Sequence, residues 1–131
     1  MSFSDYLEEK VLSHVFTNTS YTAPTTVYVG LFTAAPSDTG GGTEISTSST
    51  GYARQSAAFT VSGTSPTKAA NSSAIDFPTA TADWGSITHL AVFDAATGGN
   101  MLAFSAATTA KTINNGDILR IPAGSLEIRL D

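Results

Sequence analysis

Ser86-Ile87-Thr88-His89-Leu90-Ala91-Val92-Phe93-Asp94 runs into Ala95-Ala96-Thr97-Gly98-Gly99-Asn100 and back out through Met101-Leu102-Ala103-Phe104-Ser105. The first stretch is rich in β-branched and aromatic residues and is the clearest core strand of the chain. Gly98-Gly99 supplies the positive φ that a chain reversal needs, so the two strands form a hairpin. A hairpin this apolar cannot stand alone and must be covered by further strands.

Those strands are found on both sides of it. Upstream, Thr25-Thr26-Val27-Tyr28-Val29-Gly30-Leu31-Phe32-Thr33 alternates with period two. Val27, Val29 and Leu31 face one side, Tyr28 and Phe32 the other, as in a central strand covered on both faces. Ala35-Pro36 ends it. Tyr52 to Val61 and Ala74-Ile75-Asp76-Phe77 read as two more strands, the second stopped by Pro78. Downstream, Asn114-Asn115-Gly116-Asp117 is a strong turn signal before Ile118-Leu119-Arg120-Ile121, and Leu126, Ile128 and Leu130 alternate with Glu127, Arg129 and Asp131. About seven to eight strands at this spacing predict a mostly β chain, an antiparallel sandwich or jelly-roll-like domain. Residues 37–51 around Gly40-Gly41-Gly42, and 62–73 around Pro66, read as polar connections, the first long and mobile or ordered by a partner.

The N-terminus breaks the period. Phe3, Leu7, Val11 and Val15 recur every four residues, so residues 1–18 are expected to form a short α-helix. Ser2 or Ser4 can cap it, with Asp5, Glu8 and Glu9 at the positive end of its dipole. A helix this short needs its apolar stripe packed on a sheet or on a neighbouring subunit. The chain of 131 residues is one domain's worth, with residues 21–131 as its β part.

Composition bounds the function. Only 13% of residues are charged, about half the usual share. Ser, Thr, Ala and Gly cover the surface instead, so few charges need desolvating on contact with a partner. The net charge is −5 and the six cations are scattered, which argues against direct nucleic-acid binding. No apolar run reaches the ~20 residues of a membrane span, and the acidic start is not a signal peptide. The absence of cysteine fits synthesis in a reducing cytosol.

Candidate chemistry is thin. His14 and His89 have no cysteine or second histidine beside them, so no zinc set forms. His89 and Asp94 lie five apart on one strand and leave opposite faces. Asp76, Asp83 and Asp94 sit at strand ends, where aspartate serves turns. Asp94, Asn100 and Asp117 follow no calcium-loop signature. Gly40-Gly41-Gly42 lacks the Lys-Ser/Thr of a phosphate cradle, and no serine lies in a Gly-x-Ser-x-Gly elbow. No catalytic, cofactor or metal residue is assigned. The candidates are instead interface residues: Phe3, Tyr6, Leu7, Val11, Phe16, Tyr52 and Trp84, since aromatic side chains carry much of the energy of protein contacts. Trp84 or Tyr52 could also serve as a sugar-stacking platform in a host-surface carbohydrate-binding module.

Several signatures recur in order along the chain: Ser4-Asp5-Tyr6-Leu7, Tyr21-Thr22-Ala23-Pro24 with the strand after it, Gly51-Tyr52-Ala53-Arg54, Ile75-Asp76-Phe77-Pro78, Asp83-Trp84-Gly85, Thr88-His89 and Phe93-Asp94-Ala95-Ala96-Thr97-Gly98-Gly99-Asn100. In this the chain resembles a widespread family of small virion proteins of tailed bacteriophages and prophages, labelled tail-fibre-like. The resemblance implies a non-enzymatic virion protein whose partners are other phage structural proteins, and a homo-oligomer. Small size and a weakly charged surface favour a capsid cement or decoration protein bound to the major capsid protein, with a tail, tail-tip or fibre-associated role as the alternative.

Overall fold

The computed structural model describes residues 1–130; Asp131, the expected end of the last strand, lies outside them. Strands hold 43% of the residues and helix 9%. The described chain has eleven strands and one helix, more strands than the seven or eight expected. They are β1 (Ser2–Phe3), β2 (Val27–Ala34), β3 (Thr43–Glu44), β4 (Gln55–Ala57), β5 (Phe59–Ser62), β6 (Thr67–Asn71), β7 (Ile75–Asp76), β8 (Gly85–Phe93), β9 (Met101–Ile113), β10 (Arg120–Ile121) and β11 (Glu127–Leu130). The helix, α1, spans Asp5–Phe16. Four of the strands are two residues long, and such pieces leave no periodic trace in a sequence.

The main sheet has the order β1-β9-β8-β2-β3, and β4 also pairs with β2. All its pairings are antiparallel. A three-stranded sheet, β11-β6-β5, and the pair β10-β7 complete the structure. The expected hairpin β8–β9 is at its centre, with Ala91 opposite Phe104 and Val92 opposite Ala103. The two faces read from β2 are both occupied. Val29 and Leu31 join Ile75, Phe77, Trp84, Ile87 and Leu126 in the larger core cluster, and Phe32 joins Ala91, Phe93 and Met101 in a second.

The expected strand from Tyr52 to Val61 is really two. It breaks at Ala58: β4 belongs to the main sheet and β5 to the three-stranded one, so the chain changes layers there. The stretch 62–73 is no loop but contains β6, the middle strand of the smaller sheet. Asn71 at its end is buried yet satisfied. Its Nδ2 donates to the carbonyls of Ser73 and Pro122, and its Oδ1 accepts from the Leu126 amide. The loop 37–51 is also more ordered than expected. It carries β3, and Ile45 enters the core beside Leu31, whose carbonyl accepts from the Ile45 amide at 3.1 Å.

Glu127 ties β11 to β6. Its carboxylate accepts from Lys68 Nζ at 2.8 Å and from Arg129 Nη2 at 2.6 Å. The Lys68 contact first, then Arg129, holds its pKa down to about 2 from an ordinary 4.5. A carboxylate with a depressed folded-state pKa stabilises the fold above its unfolded pKa and loses that contribution as pH falls through the folded value. The β11–β6 edge is therefore expected to loosen between about pH 4.5 and 2. The protection factors of the amides of residues 127–130, taken against the intrinsic exchange rate at each pH, should fall over that window in the wild type and change far less in Glu127→Gln.

Candidate interaction surface

The root of α1 is fixed to the main sheet. β1 pairs Ser2 with Phe104 and Phe3 with Ala103 on β9. The backbone amide of Ser4 then donates to the Leu102 carbonyl at 2.9 Å. Its buried side chain is the N-cap, accepting from the Leu7 amide at 3.2 Å while its hydroxyl donates to the Met101 carbonyl. The Asp5 amide donates to the Asp38 carbonyl at 3.0 Å. The helix thus begins at Asp5 rather than in the first residues, because Ser2–Phe3 finds a strand partner a hundred residues away. Losing a serine cap costs roughly 1 kcal/mol, and here it also orphans a bond to β9. Ser4→Ala is expected to raise exchange at the amides of the first helical turn roughly tenfold or more while leaving β8 and β9 protected; unchanged exchange in that turn would contradict the assignment.

The far end is closed as firmly. The amides of Thr17 and Thr19 both donate to the Ser13 carbonyl at 3.1 Å, and Asn18 takes a left-handed φ of 56°. These two bonds and the left-handed residue between them close the helix after Phe16. The chain then folds back along one flank. Tyr21 meets Tyr6 edge-on at 6.5 Å, its amide donates to His14 Nδ1 at 3.1 Å, and Lys10 Nζ lies 5.6 Å from the Tyr6 ring centre.

Between these fixed ends the helix is poorly covered. None of its residues is buried. Leu7 and Val11 of the expected stripe are half-buried, as are Phe3 and Tyr6. Leu12, Val15 and Phe16 are 57%, 61% and 76% exposed. Six large apolar side chains are strongly exposed among the described residues, and these three fall within five positions. Single exposed apolar residues are ordinary, but a cluster on a rigid element marks a contact surface. Leu12 and Phe16 form an i, i+4 pair off the expected stripe, flanked by Glu8 and Glu9. That pattern was readable in the sequence as a second apolar face.

Tyr52 and Trp84 do not belong to this surface. They are only 3% and 5% exposed. Tyr52 stacks on Phe77 at 6.3 Å and meets Trp84 edge-on at 5.5 Å, and Trp84 Nε1 donates to the Thr50 carbonyl at 2.8 Å. Core packing has claimed both rings, so neither offers a face to a sugar or a protein partner.

A polar tie that sequence reading missed sits beside them. Glu44 on β3 accepts from Arg54 Nε and Nη2, both at 2.8 Å, and from the Tyr52 hydroxyl at 2.6 Å. Arg54 Nη1 reaches the carbonyls of Ala95 and Gly98 at 2.9 and 2.8 Å, and its guanidinium lies 3.5 Å from the Phe93 ring centre. The Tyr52 oxygen in turn accepts from the Leu31 amide at 3.0 Å. This fills a gap on the flank of β2, where β4 pairs with Val27 to Val29 and β3 only from Phe32. Burial first, and then the bond to Glu44, pushes the Tyr52 pKa well above the ordinary tyrosine range. Gly30 is needed here, because a Cβ would stand 2.9 Å from Glu44 Oε2.

The remaining candidates are engaged locally. Asp94 accepts from the Asn100 amide at 2.7 Å and its side chain at 2.9 Å, closing the hairpin. Asp83 and Asp117 accept from the amides of Asn115 and Asn114. Asp76 pairs with Arg120 at 2.7 Å, and His89 Nδ1 lies 2.8 Å from the Thr88 hydroxyl.

A family model described as Podophage GP4 fiber I protein gp80 matches residues 2–129. The chain belongs to that family. None of the curated proteins compared with it matches. The fiber I family is one of phage virion structural proteins, as the tail-fibre-like resemblance implies. Its match takes in the β1 root, the exposed helix, the Arg54 tie and all of the smaller sheet but Leu130.

Proposed function

We propose that the chain is a non-enzymatic structural subunit of a phage tail-fibre assembly, joined to its neighbours through the apolar end of α1. The observation that carries this reading is the exposure of Leu12, Val15 and Phe16 on a helix locked at both ends. A preorganised apolar knob loses little conformational entropy on docking, which favours a contact surface over a mobile tail. The β core gives it a stiff mount. The fibre family supports a tail position over the head lattice that size and low charge alone suggest. Particles assembled without the chain test this. They should keep heat-stable, DNA-filled heads but lack a tail appendage and adsorb poorly to the host. Heads that leak DNA on mild heating, with adsorption unchanged, would overturn the fibre reading in favour of capsid cement.

A further inference from the structure

A cleft of about 290 Å³ opens between β9 and the segment running from Leu119 to Leu126. Its cause is a mismatch in the β8–β9 ladder. Ile87 pairs with Lys111 and His89 with Ala106, so Ala107 to Ala110 on β9 face only Thr88 on β8. The extra residues bend β9 away from its partner. The cleft is walled chiefly by Ile87, Leu90, Ala107, Leu119, Ile121 and Leu126, a mostly apolar lining with room for one or two large side chains. No helix residue lines it, because α1 is fastened to the opposite end of β9, at Met101 to Phe104.

Charge separates the same way. Lys111 and Arg120 line this cleft, no acidic residue among those described does, and Arg129 lines the hollow beside it. Asp76, Asp117 and Glu127 partly offset them there. The helix carries Asp5, Glu8 and Glu9 against Lys10 alone, and Asp38 lies against its first residue. One chain therefore holds an apolar knob with an acidic surround and an apolar socket with a basic one, the helix rooted at Leu102 to Phe104 of β9 and the socket opening beside Ala107 to Lys111.

We infer that the occupant of the socket is a second copy of this chain, which inserts Phe16 and Leu12 of its α1 between β9 and the 119–126 segment. The contact is heterologous, head to tail, since knob and socket are different patches. Opposite charge around each steers the encounter and weakens with salt. This rests on the structural-subunit reading but adds a partner and a geometry to it.

The test uses the purified full chain and two variants. Phe16→Lys removes the knob and sets a cation against the basic rim. Thr108→Trp, at an exposed position on the socket edge, fills the socket. Melting curves first confirm that both keep the wild-type fold; a variant that does not is replaced by Leu12→Lys or Thr109→Trp. Sedimentation velocity should show concentration-dependent association of the wild type, reduced by rising salt, and each variant should be weakened roughly thirtyfold or more, the scale of losing an aromatic hot spot. Mixed in equal amounts, the variants should form a one-to-one dimer and nothing larger, because one intact knob meets one intact socket. A wild type that stays monomeric at millimolar concentration would overturn the inference and leave the fibre reading standing. So would a Thr108→Trp variant that associates as the wild type does, since that pattern means helix packs on helix. Loss of the fibre placement in assembled particles, with the mixed dimer intact, would instead overturn the proposed function alone.

Discussion

Arg54→Ala is expected to destabilise the fold by about 3 kcal/mol, at the lower end of what removing one partner of a buried ion pair costs. The melting temperature should fall by roughly 12 °C for a chain of this size. The Arg54 side chain is 9% exposed and that of Glu44 25%, so the pair is mostly but not wholly withdrawn from water. Without the guanidinium, Glu44 keeps only the Tyr52 hydroxyl, the carbonyls of Ala95 and Gly98 lose their donor, and Phe93 loses the group stacked on its ring. Those contacts join β3, β4 and the hairpin that carries β9. Arg54→Lys should recover only part of the loss, since an ammonium cannot make the paired bonds or the stack. Glu44→Gln combined with Arg54→Met should be less destabilised than Arg54→Ala alone, because no charge is then left orphaned. Thermal and urea unfolding measure all three. A loss below about 1 kcal/mol for Arg54→Ala would reduce the tie to an ordinary surface ion pair.

The second large effect is on assembly, with stability spared. Leu12→Gln/Phe16→Gln removes two side chains that are mostly exposed in the single chain. Surface changes of this kind stay within about 0.5 kcal/mol, and glutamine keeps the helix propensity of the segment. The melting temperature should therefore move by no more than about 2 °C. Incorporation into particles, measured as copies per virion after complementing a deletion with the variant, should fall roughly thirtyfold or more if these residues form the contact hot spot. Normal incorporation would separate α1 from attachment.

The part of the fold legible in the sequence is the part governed by local periodicity. β2 shows both its faces, the β8–β9 hairpin shows its turn, and the helix start shows two serines able to cap it, of which Ser4 does. Residues whose roles depend on distant backbone were not legible. Ser2–Phe3 becomes a strand only because β9 offers it an edge. Thr67-Lys68-Ala69-Ala70-Asn71 has no alternation, and its strand character comes from β5 and β11 on either side. β9 runs eight residues past Ser105, through a Thr- and Ala-rich stretch with no apolar signal, and there it opens the cleft. Glu44 and Arg54 look like isolated charges in a Ser/Thr-rich region until the sheet brings them together. The helix shows the limit of periodicity from the other side. The stripe Phe3, Leu7, Val11 and Val15 predicts a packed face, but an apolar pattern does not reveal whether its cover lies within the same chain. Val15 and Phe16 are left to solvent here.

α1 is the proposed attachment point of a tail structural protein. A reconstruction of the intact particle, resolved well enough to trace this chain, tests that most directly. It should place the β sandwich in a tail appendage, with Leu12, Val15 and Phe16 buried against a neighbouring chain. A chain seated on the head lattice, or one in the tail whose helix end still faces solvent, would contradict it.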